Sequence, residues 1–267
     1  MKFCINEAST MPTDFATDVR AYSAAGFKGI ELWLAKVDKY LESGTLAGAA
    51  RLLQDHGLVA AGSCAAGLPL VTRDDWDKAV AELKRKLELC QALGAPRIVV
   101  TAARPPEGAA YDYDLAVDNL RQAAEIAAPY GVTLALEFIK GHAVVGAVST
   151  AALLVAKANH PNLGILFDTF HYFAGVSKAS DLALIPQGKV AFVHVNDCLD
   201  LPRERLTDAE RTYIGRGPIP TKQLVEAVRA KGYDGWLSFE IFSRAVWAED
   251  PFQVAVQIKR NLEEALG

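Results

Sequence analysis

The feature that most constrains this chain is a repeated hand-off: a helical stretch ends at a glycine and the next few residues turn continuously apolar. It recurs as AAGFKGIEL, DHGLVAAG, ALGAPRIVV, PYGVTLALE and AKGYDGWLSFE. A glycine closes a helix because the left-handed position after the last turn costs it little, and a short loop then feeds the next strand. Strands alternating with helices along a whole chain imply a parallel sheet covered on both faces, so its strands read as apolar runs.

Eight such runs stand out: Lys2–Glu7, Gly29–Leu34, Leu58–Cys64, Arg97–Ala102, Thr133–Phe138, Leu163–Asp168, Val190–Asp197 and Trp236–Phe242. Between them, Asp74–Leu93 places Trp76, Val80, Leu83, Leu87 and Cys90 on one helical stripe, and Tyr113–Tyr130 and Thr221–Lys231 read similarly. Eight strand–helix units in 267 residues match an α/β fold of the (β/α)8 TIM barrel type. A doubly wound open sheet would usually need fewer strands and a glycine-rich phosphate loop after the first. Here the first strand runs into EASTMPTDF, without a glycine. No linker, charge block or low-complexity stretch divides the chain, so a single domain over residues 1–267 is expected.

Composition sets the partner class. With 51% hydrophobic residues the chain can build a large core, and a net charge of -4 argues against a nucleic-acid partner. Cys4, Cys64, Cys90 and Cys198 are scattered, with no C-x-x-C pair for a zinc knuckle or redox dithiol. The opening MKFCINEAST lacks an apolar signal segment and no run reaches membrane-spanning length, so no membrane and a cytoplasmic location are expected.

In a barrel of this kind, chemistry gathers at the C-terminal strand ends. The last four strands carry Glu137 in LALEF, Asp168 in GILFD, His194 in AFVHV and Glu240 in WLSFE. Taken singly, each has an ordinary explanation: a carboxylate near a loop caps a turn or pairs with an arginine, and a core histidine is hydrogen-bonded. Jointly, three carboxylates and an imidazole aim into one mouth, and these strands hold no lysine or arginine to balance them. A divalent cation supplies that charge. The oxygen-rich set favours Mn²⁺, with Mg²⁺, Co²⁺ or Zn²⁺ able to serve. With open positions, such an ion would bind a carbonyl and a neighbouring hydroxyl of a sugar and acidify the C–H between them.

With these residues in place the sequence resembles the xylose-isomerase-like barrel superfamily of sugar isomerases and epimerases. The likeness runs through CINEAST, PYGVTLALEFI, FDTFHYF, FVHVND, LTDAERTYIGRGPI and GWLSFEIF, and is nearest to the inosose (2-keto-myo-inositol) isomerases. The ordered Glu, Asp, His, Glu set, with a histidine three residues after the Asp, is its most specific element. The resemblance implies that Glu137, Asp168, His194 and Glu240 bind one divalent metal and that Glu137 and Glu240 double as an acid/base pair. His171 and Arg211 would hold substrate oxygens, and Glu7, Glu31 and Trp33 are candidates for the pocket wall.

The reaction so implied moves a proton in a keto-inositol or related ketose through a cis-enediolate, without an organic cofactor. An inosose dehydratase or a ketose 3-epimerase would share the same first step. A phosphodiesterase of the abasic-site endonuclease type is disfavoured, since its three-zinc site needs more histidines than His56, His142, His160, His171 and His194 provide. The resemblance also implies a homo-oligomer, though no interface is legible. One departure touches the rim: EIFSRAVWAEDP stands where the resemblance leads one to expect Arg-Pro directly after the Phe, leaving Arg244 and Trp247 to cover that ground. Lys140 and His142, in FIKGHAVVG, lie close enough to Glu137 in sequence to reach a substrate.

Overall fold

The structure, a computed structural model, describes residues 1–267. Eight parallel strands close into a barrel: β1 (Lys2–Asn6), β2 (Gly29–Trp33), β3 (Val59–Leu68), β4 (Arg97–Ala102), β5 (Thr133–Glu137), β6 (Leu163–Asp168), β7 (Val190–Val195) and, closing against β1, β10 (Trp236–Phe239). The intervening β8 (Asp197–Cys198) and β9 (Arg211–Thr212) form a separate antiparallel pair outside the barrel. Closure leaves no sheet edge exposed. Helices cover the strands from outside, among them α1 (Phe15–Ala24), α4 (Trp76–Leu93), α5 (Tyr113–Ala127), α6 (Val148–Ala158), α8 (Thr221–Ala230) and α10 (Pro251–Leu266).

The glycine hand-offs take the expected form: Gly26, Gly57, Gly94, Gly131 and Gly232 all have positive φ. On α4 the predicted stripe is the inner face, with Trp76, Leu83, Leu87 and Cys90 buried. Most of the core lies between strands and helices. Inside the barrel a smaller apolar plug of Cys4, Ala61, Cys64, Val99, Ala135, Leu166 and Phe192 fills one level, and polar side chains occupy the space above it.

Six strands differ from the sequence expectation at a boundary; β2 and β5 stop one residue short, at Trp33 and Glu137, and the other four differ for a local reason. β1 stops at Asn6 because its side chain accepts from Ala8 N–H at 2.8 Å, turning Glu7–Thr10 into a 3-10 helix. β3 runs past Cys64 to Leu68, with a register shift between Ser63 and Ala66. The predicted strand Val190–Asp197 breaks at Asn196. The last barrel strand ends at Phe239, so Glu240 sits just beyond it. In each case a side chain or a bulge captures the backbone where the apolar run continues, and hydropathy does not record that.

Candidate active site

The four strand-end residues meet. One ligand atom from each of Glu137, Asp168, His194 and Glu240 lies within 4.8 Å of the others, and all four residues are buried. Adjacent parallel strands in register produce this: Asp168 pairs with His194 across β6 and β7, and Ser238, two residues before Glu240, pairs with His194 across β10 and β7. His194 Nδ1 stands 3.2 Å from Glu240, 3.7 Å from Asp168 and 3.8 Å from Glu137. Ligands at 2.0–2.2 Å around a tetrahedral ion stand roughly 3.4 Å apart, so the spacing fits one metal.

An orphaned atom makes the same point. His194 Nδ1 is buried and has no hydrogen-bond partner, while Nε2 on the far side of the ring stands 3.0 Å from Glu31 Oε1. Burial opposes a charge on this ring, yet Glu240 and Glu31 outweigh it and raise its pKa well above the ordinary value. The field that would hold a proton at Nδ1 is one that holds a cation, and the donor set suits a divalent metal.

The three carboxylates are not equivalent. Asp168 Oδ1 accepts from His171 N–H at 2.9 Å, capping the short helix α7 (Thr169–Ala174), and Oδ2 accepts from Arg211 Nη1 at 2.7 Å. Burial would raise its pKa, but Arg211 holds it well below the usual carboxylate range. Glu240 is gripped at both oxygens, by Asn6 Nδ2 at 2.9 Å and Arg211 Nη1 at 3.0 Å. Glu137 is ungripped, with His194 Nδ1 at 3.8 Å and His171 Nε2 at 3.9 Å. Burial, with the like charges of Glu240 and Asp168, lifts its pKa well above the usual range despite His194.

Arg211 revises the charge argument. The four strands that supply the cluster hold no counter-cation, but this guanidinium enters from β9 and is 2% exposed. It offsets one of the three carboxylate charges and leaves two, the charge of a divalent ion. Phe170 and Phe242 lie 4.7 and 5.5 Å from it, and Asp208 accepts from its Nη2 at 2.7 Å. Its Nη2 also stands 3.0 Å from His171 Nε2; a guanidinium only donates, so that nitrogen accepts and the ring is neutral. Burial lowers the His171 pKa to about 4, consistent with a neutral ring.

Asp197 brings Arg211 there. Its Oδ2 accepts from Gly215 and Gly217 N–H at 3.0 Å each, and its Oδ1 from Ile219 and Cys198 N–H at 2.9 Å each. Gly217 has no alternative residue: a Cβ there would lie 1.7 Å from Cys198 O. Sequence reading missed this hub, whose signal is the Asp directly after the HVN of β7 and the glycine-bracketed arginine of YIGRG. It also missed Asn196, whose Nδ2 donates to Glu240 O at 3.2 Å and whose Oδ1 accepts from Thr169 at 2.9 Å, joining three strand ends.

Two expected wall residues lie elsewhere. Glu31 is fully buried one level below the cluster, bonded to Ser238, which precedes Glu240 by two positions on β10. Burial opposes its charge, but His194 and the Cys64 and Ser238 donors hold its carboxyl below the usual range. Glu7 is also fully buried; its Oε2 accepts from Trp33 N–H at 2.7 Å, beside the Lys36–Asp18 pair. Both were read as wall residues because they end strands, but the 3-10 turn and the barrel interior claim them. Trp33 is half-buried and stacks edge-on against Phe242, which meets Trp247 in turn. That aromatic line covers the rim where Arg-Pro was expected, with Arg244 exposed beside it. Lys140 Nζ bonds to Leu206 O, tying the loop after β5 to the excursion that delivers Arg211. His142 Nδ1 accepts from Val144 N–H at 3.1 Å within its own loop.

Known proteins share this arrangement. The family described as Xylose isomerase-like TIM barrel matches residues 19–264. An inosose isomerase of Halalkalibacterium halodurans is 31% identical over 253 residues, covering 91% of this chain and 88% of that protein. A 3-dehydroshikimate dehydratase of Pseudomonas putida is 28% identical over 91% of this chain, which spans 38% of that longer protein. A crystal structure of the IolI protein with a bound zinc atom superposes with a TM-score of 0.93 at 26% identity, over 100% of this chain and 98% of that one.

Proposed function

From the premise that this chain belongs to the xylose isomerase-like TIM barrel family, we propose that it is a divalent-metal-dependent isomerase of a keto-inositol or related ketose. The observation that carries this is the convergence of Glu137, Asp168, His194 and Glu240 on one point at the barrel mouth. Those four side chains would hold a divalent metal, which would supply Lewis acidity to a substrate carbonyl and its neighbouring hydroxyl and so acidify the adjoining C–H. Mn²⁺ suits the three-carboxylate set best, and Zn²⁺ is the ion found with the IolI protein.

The chain's own groups divide the remaining work. Glu137, unencumbered by hydrogen bonds, would act in its ionised form, take the proton from the substrate carbon and pass it to the former carbonyl oxygen. Glu240, held ionised on the other side by Asn6 and Arg211, would take the proton of the substrate hydroxyl, whose oxygen becomes the new carbonyl, and deliver it to the adjacent carbon. The N–H groups of Arg211 are taken by Asp168, Glu240, Asp208 and the neutral His171, so its part is the positive charge it places beside the developing enediolate, with His171 fixing its orientation. Trp33 and Phe242 offer an apolar wall to the ring and shed water from it. A small polyol rather than nucleic acid is the substrate class that a net charge of -4 and this enclosed mouth accommodate. No helix is long and apolar enough to cross a membrane, and four free, buried cysteines suit a cytoplasmic setting.

A dehydratase outcome is the second reading, favoured by the likeness to 3-dehydroshikimate dehydratase; it begins with the same proton removal and ends by expelling a β-hydroxyl. Mn²⁺-loaded protein incubated with 2-keto-myo-inositol and a ketose panel in D₂O separates these. Deuterium on the adjacent carbon marks isomerisation, deuterium on the original carbon with inversion marks epimerisation, and a new ultraviolet enone band marks dehydration. The Glu240→Gln variant is expected to keep its fold and lose about 10²–10⁴-fold in turnover. Absence of exchange with every substrate would count against the enzymatic reading.

A further inference from the structure

Glu31 is a buried carboxylate for which the reaction above has no use. Both of its oxygens are occupied: Oε1 accepts from Cys64 Sγ–H at 2.9 Å and lies 3.0 Å from His194 Nε2, and Oε2 accepts from Ser238 Oγ–H at 2.5 Å. With no exposed surface it has no path to a substrate. We propose that Glu31 is a positioning residue: it holds the proton of His194 on Nε2, so that Nδ1 is the nitrogen offered to the metal. This rests on the metal centre proposed above and adds to it the group that orients its only nitrogen ligand.

The argument is one of donors and acceptors. A carboxylate accepts and does not donate, so the ring nitrogen facing Glu31 carries the hydrogen. In the neutral ring that binds a metal, the opposite nitrogen keeps its lone pair, and it is the buried atom without a partner, aimed at Asp168, Glu137 and Glu240. An unmade bond at a buried polar atom is costly, and a cation at that point relieves it. The anchor is rigid, because Glu31, Cys64, His194 and Ser238 come from β2, β3, β7 and β10 and so reach the ring from both sides of the barrel. A carboxylate behind a metal-bound imidazole fixes its tautomer and orientation and raises its basicity; losing it costs about 10–100-fold in metal affinity.

Glu31, Cys64 and His194 also satisfy the distance criterion for a metal site of their own. Their mutual contacts are accounted for by hydrogen bonds and the group lacks a fourth ligand, so the positioning role is the one the geometry supports.

Cobalt titration of the chelator-stripped, full-length protein tests this, following the visible spectrum and ion content per chain. One Co²⁺ per wild-type chain is expected. Glu31→Gln keeps an acceptor but loses the charge and should raise the dissociation constant about 10-fold; Glu31→Leu loses both and should raise it about 100-fold. Ser238→Ala removes a donor to Glu31 and leaves its charge behind His194, so it should lower the metal-free melting temperature and raise the dissociation constant less than Glu31→Gln does. Wild-type affinity and spectrum in Glu31→Gln would overturn the positioning role, and that variant decides the matter if Glu31→Leu does not fold. Two ions per chain, one lost in Cys64→Ser, would overturn it in favour of an inner metal site. A wild-type protein that takes up no cobalt would overturn the metal centre itself, and this role with it.

Discussion

Replacing Arg211 with methionine should damage the metal-free protein far more than the metal-loaded one. The side chain keeps its length and apolar stem, so packing between Phe170 and Phe242 is largely conserved, while the guanidinium is removed from Asp168 at 2.7 Å and Glu240 at 3.0 Å. Breaking one side of a buried ion pair strands the other charge and costs about 3–5 kcal/mol. In a protein of this size 1 kcal/mol moves the melting temperature by about 2–4 °C, which gives a loss of roughly 6–20 °C in chelator. A divalent ion on the same carboxylates replaces the missing charge, so at saturating Mn²⁺ the loss should shrink by at least half. Removing a competing cation also makes the metal-induced gain larger in the variant than in the wild type. Thermal melts of both proteins with chelator and with Mn²⁺ measure all four values. An equal loss under the two conditions would refute the view that Arg211 and the metal balance the same charges.

Three further outcomes are expected. Gly217→Ala places a methyl where Cys198 O stands, so it should cost about 1–3 kcal/mol or more by overpacking and lower activity by displacing Arg211; unchanged melting and turnover would count against the Asp197 hub. Glu7 carries a carboxyl that burial, reinforced by Asp18, raises well above its ordinary pKa. Its contribution to stability is therefore complete below about pH 4.5 and fades as pH climbs through the raised value. Glu7→Gln, which imitates the protonated form and keeps an acceptor for Trp33 N–H, should gain on the wild type from pH 5 to pH 9; a melting-temperature difference flat with pH would contradict this. Lys140→Met should loosen the excursion over Leu199–Glu210 by removing the bond to Leu206 O, raising KM more than it lowers kcat, as steady-state kinetics would register.

The sequence by itself determined the barrel and the four side chains that meet at its mouth. Apolar runs, helical stripes and closing glycines are local signals, and a side chain at the end of an apolar parallel strand has one mouth to face. Glu137, Asp168, His194 and Glu240 were legible for that reason. Glu240 emerged even though β10 stops at Phe239, because the residue after the strand still points into the same opening.

Tertiary structure alone decided what surrounds those four. Glu31 reads as a strand-end wall residue until closure brings it 3.0 Å from His194, a partner 163 positions away, and Asn6 grips Glu240 across 234. Arg211 lies in no barrel strand; Asp197 folds the excursion that delivers it, and the loop's composition shows no cationic destination. The physical reason is that a strand's period fixes which level and face a residue occupies. Which donor meets which acceptor depends on the register, the rotamers and the return path of a loop, and these exist only once the barrel has closed.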